Sequence, residues 1–183
     1  MSRAIYLFRN IRTKQVLASM DKTLLSHERL IAGQVPQQPL RPQKIRPDHW
    51  TPLAVLSGFQ TDSALNTAFS LASMPGFPLR PPTAQEQHEY RLLKNKHKRL
   101  RDLDTTERQV AQLARSLIYM DHTNSHVVPK EGKLKLFWQD RQWIGKVEDA
   151  GLKFPEWIEH DDLHLKRGNM ITNKELRGKA PRS

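Results

Sequence analysis

Basic side chains are densest between residues 91 and 101, where they could bind phosphate groups. If this run is an α-helix, a step of about 100° per residue brings four cations into one sector and four leucines to the opposite side. The cations of that sector are Arg91, Lys94, Lys98 and Arg101, and Arg99 lies near the edge of the leucine side. No acidic residue lies between Glu89 and Asp102, so ion pairs within the helix cannot neutralise the run. We therefore predict a helix whose leucine face is buried and whose basic face binds phosphate.

Two further basic segments accompany this helix. Residues 34–47 contain four prolines, which remove backbone donors and favour an extended arm. The cations between these prolines are Arg41, Lys44 and Arg46. The arm is either a solvated linker or a segment that lies along phosphate. Residues 165–183 form a basic tail that we expect to order only on its partner, and Glu175 is its one acidic residue. The cations of the tail are Lys166, Arg167, Lys174, Arg177, Lys179 and Arg182.

The composition favours a polyanionic partner. Among 183 residues, 30 Lys and Arg outnumber 19 Asp and Glu, which gives a formal net charge of +11 and a pI near 10.1. Such an excess is typical of nucleic-acid-binding proteins, and an anionic membrane surface is the competing partner. No run approaches the roughly 18 apolar residues of a membrane-spanning helix. The absence of cysteine excludes disulfides, thiolate catalysis and cysteine-type zinc sites.

Catalytic constellations are scarce in the sequence. Neither the phosphate-binding loop motif of nucleotide hydrolases nor the glycine pattern of a dinucleotide site occurs. Two histidine pairs have i, i+4 spacing, His122 with His126 and His160 with His164. The second pair lies among three carboxylates that could bind a divalent metal in a nuclease-like site: Glu159, Asp161 and Asp162. Because no clear helix holds this cluster, we expect no metal there. The scarcity of catalytic motifs predicts no cofactor and no enzymatic activity, and a metal-dependent nuclease is kept as a third alternative.

The tryptophans could either fill the core or stack on bases. A small sheet needs large side chains to cover it, so we predict core positions for Trp138 and Trp157. Trp50 adjoins the basic arm, and both roles stay open for this residue.

A small sheet is predicted to position these segments. Residues 4–10 and 15–20 carry aromatic and β-branched side chains on either side of a polar turn, which predicts a hairpin. Two strands alone are marginal, so a third strand is expected at residues 53–56, bounded by Pro52. The alternation of residues 133–138 predicts a fourth strand.

Apolar spacing and capping residues predict three helical regions. The first covers residues 21–32 and stops at Gly33, and the second covers residues 61–73. The longest, residues 83–120, begins with a Thr-x-x-Glu capping box and is expected to bend near Leu103. Its last part has an apolar stripe that packs either on the sheet or on the preceding helix.

The predicted fold class is α+β. We expect a small mixed or antiparallel sheet, made of the N-terminal hairpin and one or two further strands, with packed helices, a long basic helix and extended basic arms. Residues 1–164 are predicted to form a single domain that includes the Pro-rich basic arm (34–47) and the long helical region (83–120). The basic tail (165–183) follows this domain.

The first 20 residues have the charge pattern of a mitochondrial targeting segment. Four cations precede the first acidic residue, Asp21: Arg3, Arg9, Arg12 and Lys14. Residues 5–8 have the character of a strand rather than of a removable amphipathic helix. If the protein is imported, we therefore expect an uncleaved or internal targeting signal.

Three segments carry a resemblance to a known family. They are Tyr-Leu-Phe-Arg-Asn at 6–10 with Gln-Val-Leu-Ala-Ser at 15–19, Arg-Pro-Asp-His-Trp at 46–50 leading to Ala-Val-Leu at 54–56, and Leu-Phe-Trp-Gln-Asp at 136–140 with Trp143. Together they resemble a fungal mitochondrial family described both as a homologous-DNA-pairing recombination protein and as a component of the mitochondrial ribosome's large subunit. The resemblance implies a location in the mitochondrial matrix. It also implies rRNA and neighbouring large-subunit ribosomal proteins as partners, with DNA as a further one.

Two functions from different classes remain open. The first is a structural protein of the mitochondrial large ribosomal subunit, which binds rRNA through the basic helix, the arm and the tail. The alternative is an ATP-independent protein that binds DNA and pairs homologous strands, using the same cationic surface and aromatic side chains.

Overall fold

A five-stranded mixed sheet forms the centre of the fold. The computed structural model describes residues 3–24, 28–123 and 125–165. The strands are β1 (Ala4–Asn10), β2 (Val16–Ser19), β3 (Trp50–Ser57), β4 (Leu134–Trp138) and β5 (Ile158–Asp162). Their order across the sheet is β2-β1-β3-β4-β5, with β4 and β5 parallel and the other neighbours antiparallel. The α+β prediction is confirmed, and so are the hairpin and the third and fourth strands, whereas the sequence pattern does not predict β5.

Strand β3 is longer than predicted, and Pro52 lies within it rather than before it. Two features make room for the proline. The pairing of β1 with β3 shifts between Leu7 and Phe8, which face Ala54 and Pro52 respectively. In addition, β4 pairs only with residues 54–57, so Pro52 lies past the end of that pairing. A missing N–H is tolerated in such a position.

Six α-helices accompany the sheet in the described part of the chain. They are α1 (Glu28–Gln34), α2 (Asp62–Ala72), α3 (Ala84–Leu92), α4 (Asn95–Leu103), α5 (Thr106–His122) and α6 (Gln142–Asp149). Residues of α2, α5 and α6 join Ile5 and Leu7 of β1 in a first hydrophobic cluster. Tyr6 and Phe8 point to the opposite face of the sheet and belong to a second cluster, which Ile31 of α1 covers. The sheet therefore has a core on both faces, and the domain boundary at residue 164 stays a prediction.

Helices α2 and α5 form the main layer on the first face. Thr61 caps α2 by accepting a hydrogen bond from the Ala64 N–H, as the predicted helix at 61–73 requires. The predicted apolar stripe of α5 is buried at Val110, Leu113, Ala114 and Leu117. This stripe packs in the first cluster, so it lies on the sheet and not on the preceding helix.

Helix α1 corrects the prediction of a helix that stops at Gly33. The described part of α1 runs from Glu28 through Gly33 to Gln34, and residues 25–27 lie outside the described residues. The Gln34 side chain explains the longer end. Its amide accepts a hydrogen bond from the Ala18 N–H (2.6 Å) and donates one to the Ala18 carbonyl (2.9 Å). The amide thus pairs with the β2 edge as a neighbouring strand would, and this contact holds the last turn of α1 in place.

Residues 34–47, predicted as an extended basic arm, are held against the fold near both ends. The segment contains a short 3-10 turn at Gln38–Leu40, and a second turn follows at Pro47–His49. Val35 and Ile45 are buried in the second hydrophobic cluster. The ends of the segment are therefore anchored in the core, while most of the residues between them are exposed.

The long helical region at 83–120 is divided into three helices. Thr83 and Glu86 form the predicted capping box, and the predicted bend near Leu103 is the junction of α4 and α5. A second break at Leu93 and Lys94 was not expected from the sequence, and both residues have extended backbone. The break lets Tyr90 reach Asp102, a pair that a straight helix would separate by about 18 Å. The Tyr90 hydroxyl donates to the Asp102 carboxylate at 2.9 and 3.0 Å.

The predicted buried leucine face of the basic helix is also wrong. Neither α3 nor α4 has a buried residue. Leu92 is 72% exposed and Leu100 is 44% exposed. These two helices therefore present most of their surface to solvent.

Candidate nucleic-acid interface

The break at Leu93 separates the predicted cationic stripe into two parts. Arg91 lies on α3, whereas Lys94 precedes the first residue of α4 in extended conformation. Lys98 and Arg101 remain on one side of α4, where both lie over the Tyr90 ring, at 5.8 and 5.7 Å from its centroid. Such cation–π contacts orient the two cations without neutralising them.

A cleft of about 820 Å³ opens between the β1–β2 hairpin, the segment after α2, helices α3 and α4, the start of α5, and α6. We call it the cationic cleft, because seven of its lining residues are basic and four are acidic. The basic ones are Arg9, Lys14, Arg80, Arg91, Arg101, Arg108 and Lys146. The acidic ones are Glu86, Asp102, Asp104 and Glu107. Cations from distant parts of the chain thus converge on one opening.

The four acids of the cationic cleft are engaged in local structure. Glu86 forms an ion pair with Arg80 at 2.6 Å and accepts a hydrogen bond from the Thr83 N–H. The Arg80 guanidinium is the main reason that the pKa of Glu86 falls to about 2. Asp104 accepts from the Thr106 N–H at 3.0 Å, and Glu107 accepts from the Leu79 N–H at 3.3 Å.

Most of the cleft cations, in contrast, are not neutralised. Within the described residues, Arg80 is the only one of the seven that forms an ion pair. The hydrogen bond from Tyr90 occupies Asp102 and raises the pKa of the Tyr90 hydroxyl. Seven basic and four acidic lining residues leave the cleft with three positive charges in excess, which favours a polyanion.

Two threonines fix the hairpin at the edge of the cleft. Thr106 donates its hydroxyl to the Lys14 carbonyl at 2.9 Å, and the Val16 N–H donates to Thr105 Oγ1 at 2.8 Å. Lys14 has a φ of 61°, the one positive value among the described residues other than glycine. The start of α5 thus holds the hairpin turn and places Lys14 beside the cleft.

Helix α6 supplies an aromatic wall. The Trp143 side chain is only 7% exposed, and Lys146 Nζ lies 4.4 Å from the centroid of its ring. Within the described residues, the Trp143 indole N–H has no hydrogen-bond partner. Trp143 and Lys146 therefore act as one unit, a buried ring that supports an exposed cation.

A second cleft of about 580 Å³ lies between residues 38–43 and α4. Its basic lining residues are Arg41, Lys98 and Arg99. Arg41 donates to the Val35 and Pro36 carbonyls at 2.8 and 3.1 Å, so it also holds its own segment. Tyr90 and Asp102 line both clefts and thus separate one from the other.

The remaining predicted site residues lie elsewhere. Lys94, Lys44 and Arg46 line neither cleft, and Arg46 forms an ion pair with Asp48 at 2.9 Å. The tail cations lie outside the described residues: Lys166, Arg167, Lys174, Arg177, Lys179 and Arg182. Phosphate binding by all of these residues stays a prediction.

Five of the seven cations of the cationic cleft are not identified by the sequence pattern. They are Arg9, Lys14, Arg80, Arg108 and Lys146. None of them lies in a basic run, and the fold alone brings them together. Arg91 and Arg101 are the two members that the basic run identified.

The tryptophans are core residues rather than exposed stacking platforms. Trp138 is 1% exposed and fills the core, as predicted. Trp50 is 3% exposed, so it too fills the core and does not stack on bases. Trp157 is partly buried against the first cluster and donates its indole N–H to Asp121 at 2.6 Å. Base stacking would have to use other aromatic side chains.

The acidic cluster around His160 does not form the nuclease-like site. His160 Nδ1 accepts a hydrogen bond from the buried Trp138 indole at 3.0 Å. Glu159 lies 3.9 Å from Lys135, and Asp162 lies 3.8 Å from Arg141. The side chains of β5 thus diverge toward separate partners. No group of three possible metal ligands occurs elsewhere in residues 3–24, 28–123 or 125–165.

Replacing His160 with leucine should destabilise the fold by about 1–3 kcal/mol, because the buried Trp138 N–H would lose its acceptor. Burial lowers the pKa of His160, so the unfolded chain takes up a proton first as the pH falls. The stabilisation is therefore present above about pH 6.5 and is lost as the pH falls through the folded pKa. Urea unfolding at pH 7.5 and 5.5 measures both effects.

The matched control for this prediction is the exposed His88. His88→Leu should leave the unfolding free energy within about 0.5 kcal/mol of the wild type. An unchanged pH dependence in His160→Leu would contradict the role of the Trp138 hydrogen bond.

Comparison with known proteins adds one match. A family model described as Mhr1, transcriptional regulation of mitochondrial recombination, matches residues 2–72. The matched segment spans β1 to α2 and includes Arg9 and Lys14, while the other five cations of the cationic cleft lie outside it. No curated protein matches the chain. In the described residues, no helix is both long and apolar enough to cross a bilayer.

Proposed function

We propose that the protein binds DNA in mitochondrial recombination, holds a single strand in the cationic cleft and promotes homologous pairing without hydrolysing a nucleotide. The observation that carries this proposal is the convergence of seven cations on one opening, with one ion pair among them in the described residues. A groove of this charge suits the phosphates of an extended strand. The match of residues 2–72 supports recombination and a mitochondrial location.

In this proposal the protein catalyses no covalent step. Pairing two strands requires that their phosphates be neutralised and their bases be accessible, and neither needs a nucleophile or a metal. The second cleft supports the same function. Because Tyr90 and Asp102 line both clefts, strands held in the two clefts would lie side by side.

Membership of the mitochondrial large ribosomal subunit is the second candidate. Its supporting observation is the surface of α3 and α4, which bury no residue of their own yet carry the densest basic run. Helices with this much exposed cationic surface are suited to insertion into folded RNA. In this case rRNA and neighbouring ribosomal proteins would cover the two helices.

A joint-molecule assay tests the first candidate. Purified protein is mixed with a single-stranded oligonucleotide and a homologous duplex, without ATP, and paired product is measured against a heterologous duplex. We expect product only with the homologous duplex. Product that requires ATP, or none at all, would contradict the proposal.

Sedimentation of mitochondrial lysate separates the two candidates. Recombination predicts that the tagged protein sediments free or with DNA. Comigration with the large ribosomal subunit that disappears after ribonuclease treatment would place the ribosomal candidate first.

A further inference from the structure

Phe77 is the most exposed large hydrophobic side chain in the described part of the chain. The residue is 74% exposed, compared with 72% for Leu92 on α3 and 58% for Tyr119, the next most exposed aromatic residue. An aromatic ring this accessible gains nothing from core packing, so folding alone does not explain it.

The backbone that carries Phe77 is held rigidly against α5. Arg115 donates one hydrogen bond to the Phe77 carbonyl and one to the Pro78 carbonyl, both at 2.8 Å. Gln109, a buried residue of α5, donates to the Ala72 carbonyl at 2.6 Å. Hydrogen bonds to α5 therefore hold the chain both before Phe77, at Ala72, and at Phe77 and Pro78 themselves.

Gly76 brings this segment into direct backbone contact with α5. A Cβ atom at Gly76 would lie 2.0 Å from the Arg108 carbonyl oxygen, so only glycine fits without displacement. Gly76 and Arg115 together hold the Phe77 backbone, which leaves the ring little freedom apart from its own torsions. A ring presented in this way loses little conformational entropy when it binds.

Phe77 does not itself line the cationic cleft, but its backbone adjoins residues that do. Pro78 and Arg80 line the cleft, and so does Arg108, whose carbonyl touches Gly76. A strand that leaves the cleft past Pro78 would bring a base to the neighbouring Phe77 ring. Phosphate-binding cations beside an exposed aromatic ring are the combination that single-strand-binding surfaces use.

We propose that Phe77 is a base-stacking residue, held by Arg115 and Gly76 at the edge of the cationic cleft, and that it binds an unstacked nucleotide base. This inference rests on the proposed function, because the cleft must hold the phosphates. A phenyl ring has no hydrogen-bonding group, so the site accepts any base and favours single strands over duplex.

The test compares two single strands of equal length, one of thymidines and one of abasic residues. Both present phosphates, but only the first presents bases. Phe77→Ala should weaken binding to the thymidine strand about 5- to 150-fold and leave binding to the abasic strand unchanged. Phe77→Trp should keep the affinity of the wild type.

Tyr119→Ala is the matched control, because Tyr119 is exposed on α5 but lies 11 residues from Arg108, or about 16 Å along the helix. It should not change binding to either strand. Equal losses on both strands for Phe77→Ala, or no loss on the thymidine strand, would overturn the stacking role. The latter result would also leave Phe77 as a surface for a protein partner. If the wild type binds neither strand, the proposed function itself fails.

Discussion

Replacing Arg91, Arg101 and Arg108 together with glutamine is expected to weaken binding to single-stranded DNA about 100-fold at about 0.1 M salt. The three side chains are exposed and line the cationic cleft. The logarithm of the binding constant falls linearly with the logarithm of the salt concentration, with a slope of about 0.7 for each phosphate of a single strand that the protein neutralises. Losing three such contacts should therefore reduce the magnitude of this slope by about 2. A slope smaller by 2 units corresponds to about a 100-fold weaker binding constant at that salt concentration.

A control of equal charge separates the cleft from the net charge of the protein. Lys130, Lys133 and Lys153 are exposed and line neither cleft. Their replacement with glutamine removes the same three charges, yet should lower the affinity less than about 5-fold. Fluorescence anisotropy titrations at several salt concentrations measure both variants. Equal losses in the two triple variants would show that the overall charge, and not the cleft, determines binding.

Gly76→Ala is expected to destabilise the protein by about 2–3 kcal/mol. The added Cβ would lie 2.0 Å from the Arg108 carbonyl oxygen and 3.0 Å from the Gln112 Cβ, so the segment that carries Phe77 must move away from α5. That movement weakens the hydrogen bonds from Arg115 and Gln109. Thermal and urea unfolding measure the loss.

Gly145→Ala is the corresponding control. Gly145 lies inside α6 and has nothing within 4 Å of the position of an added Cβ. Alanine there should stabilise the protein by about 0.5–1 kcal/mol, because a helix interior favours alanine over glycine. If Gly76→Ala were as stable as the wild type, the close contact between its segment and α5 could not hold Phe77.

The elements that the sequence predicts well are those with local causes. The hairpin follows from two short apolar strands joined by a polar turn. The side-chain carbonyl of Asn10, the last residue of β1, accepts hydrogen bonds from the Arg12 and Thr13 N–H groups of that turn. Helices α2 and α3 begin at threonine caps that the sequence displays directly. Each of these signals acts within a few residues of the element it determines.

The elements that the sequence misses depend on distant partners. Strand β5 has the sequence Ile-Glu-His-Asp-Asp, whose acids are depleted in strands, and its pairing with β4 and the bond between His160 and Trp138 hold it. The break at Leu93 and Lys94 accompanies the contact between Tyr90 and Asp102. Neither partner is visible from local spacing.

The sequence predicts that the protein binds phosphate, but it does not predict which residues form the cleft. Net charge and the basic run indicate a phosphate-binding surface, and Arg91 and Arg101 do line the cationic cleft. Its other cations reach from Arg9 to Lys146, and only the packing of the hairpin, α5 and α6 brings them together. Phe77 carries no sequence signal, because its importance comes from exposure and from the contacts that hold its backbone.

Protection of arginines from chemical modification is the measurement that tests the cationic cleft most directly. The protein is treated with an arginine-specific dicarbonyl reagent with and without a saturating single-stranded oligonucleotide, and mass spectrometry measures the reactivity of each arginine. We predict protection of Arg9, Arg101 and Arg108, with no change at Arg29 and Arg141, which are exposed and line neither cleft. Protection of Arg29 and Arg141 together with unprotected Arg101 and Arg108 would contradict the cationic cleft as the binding site.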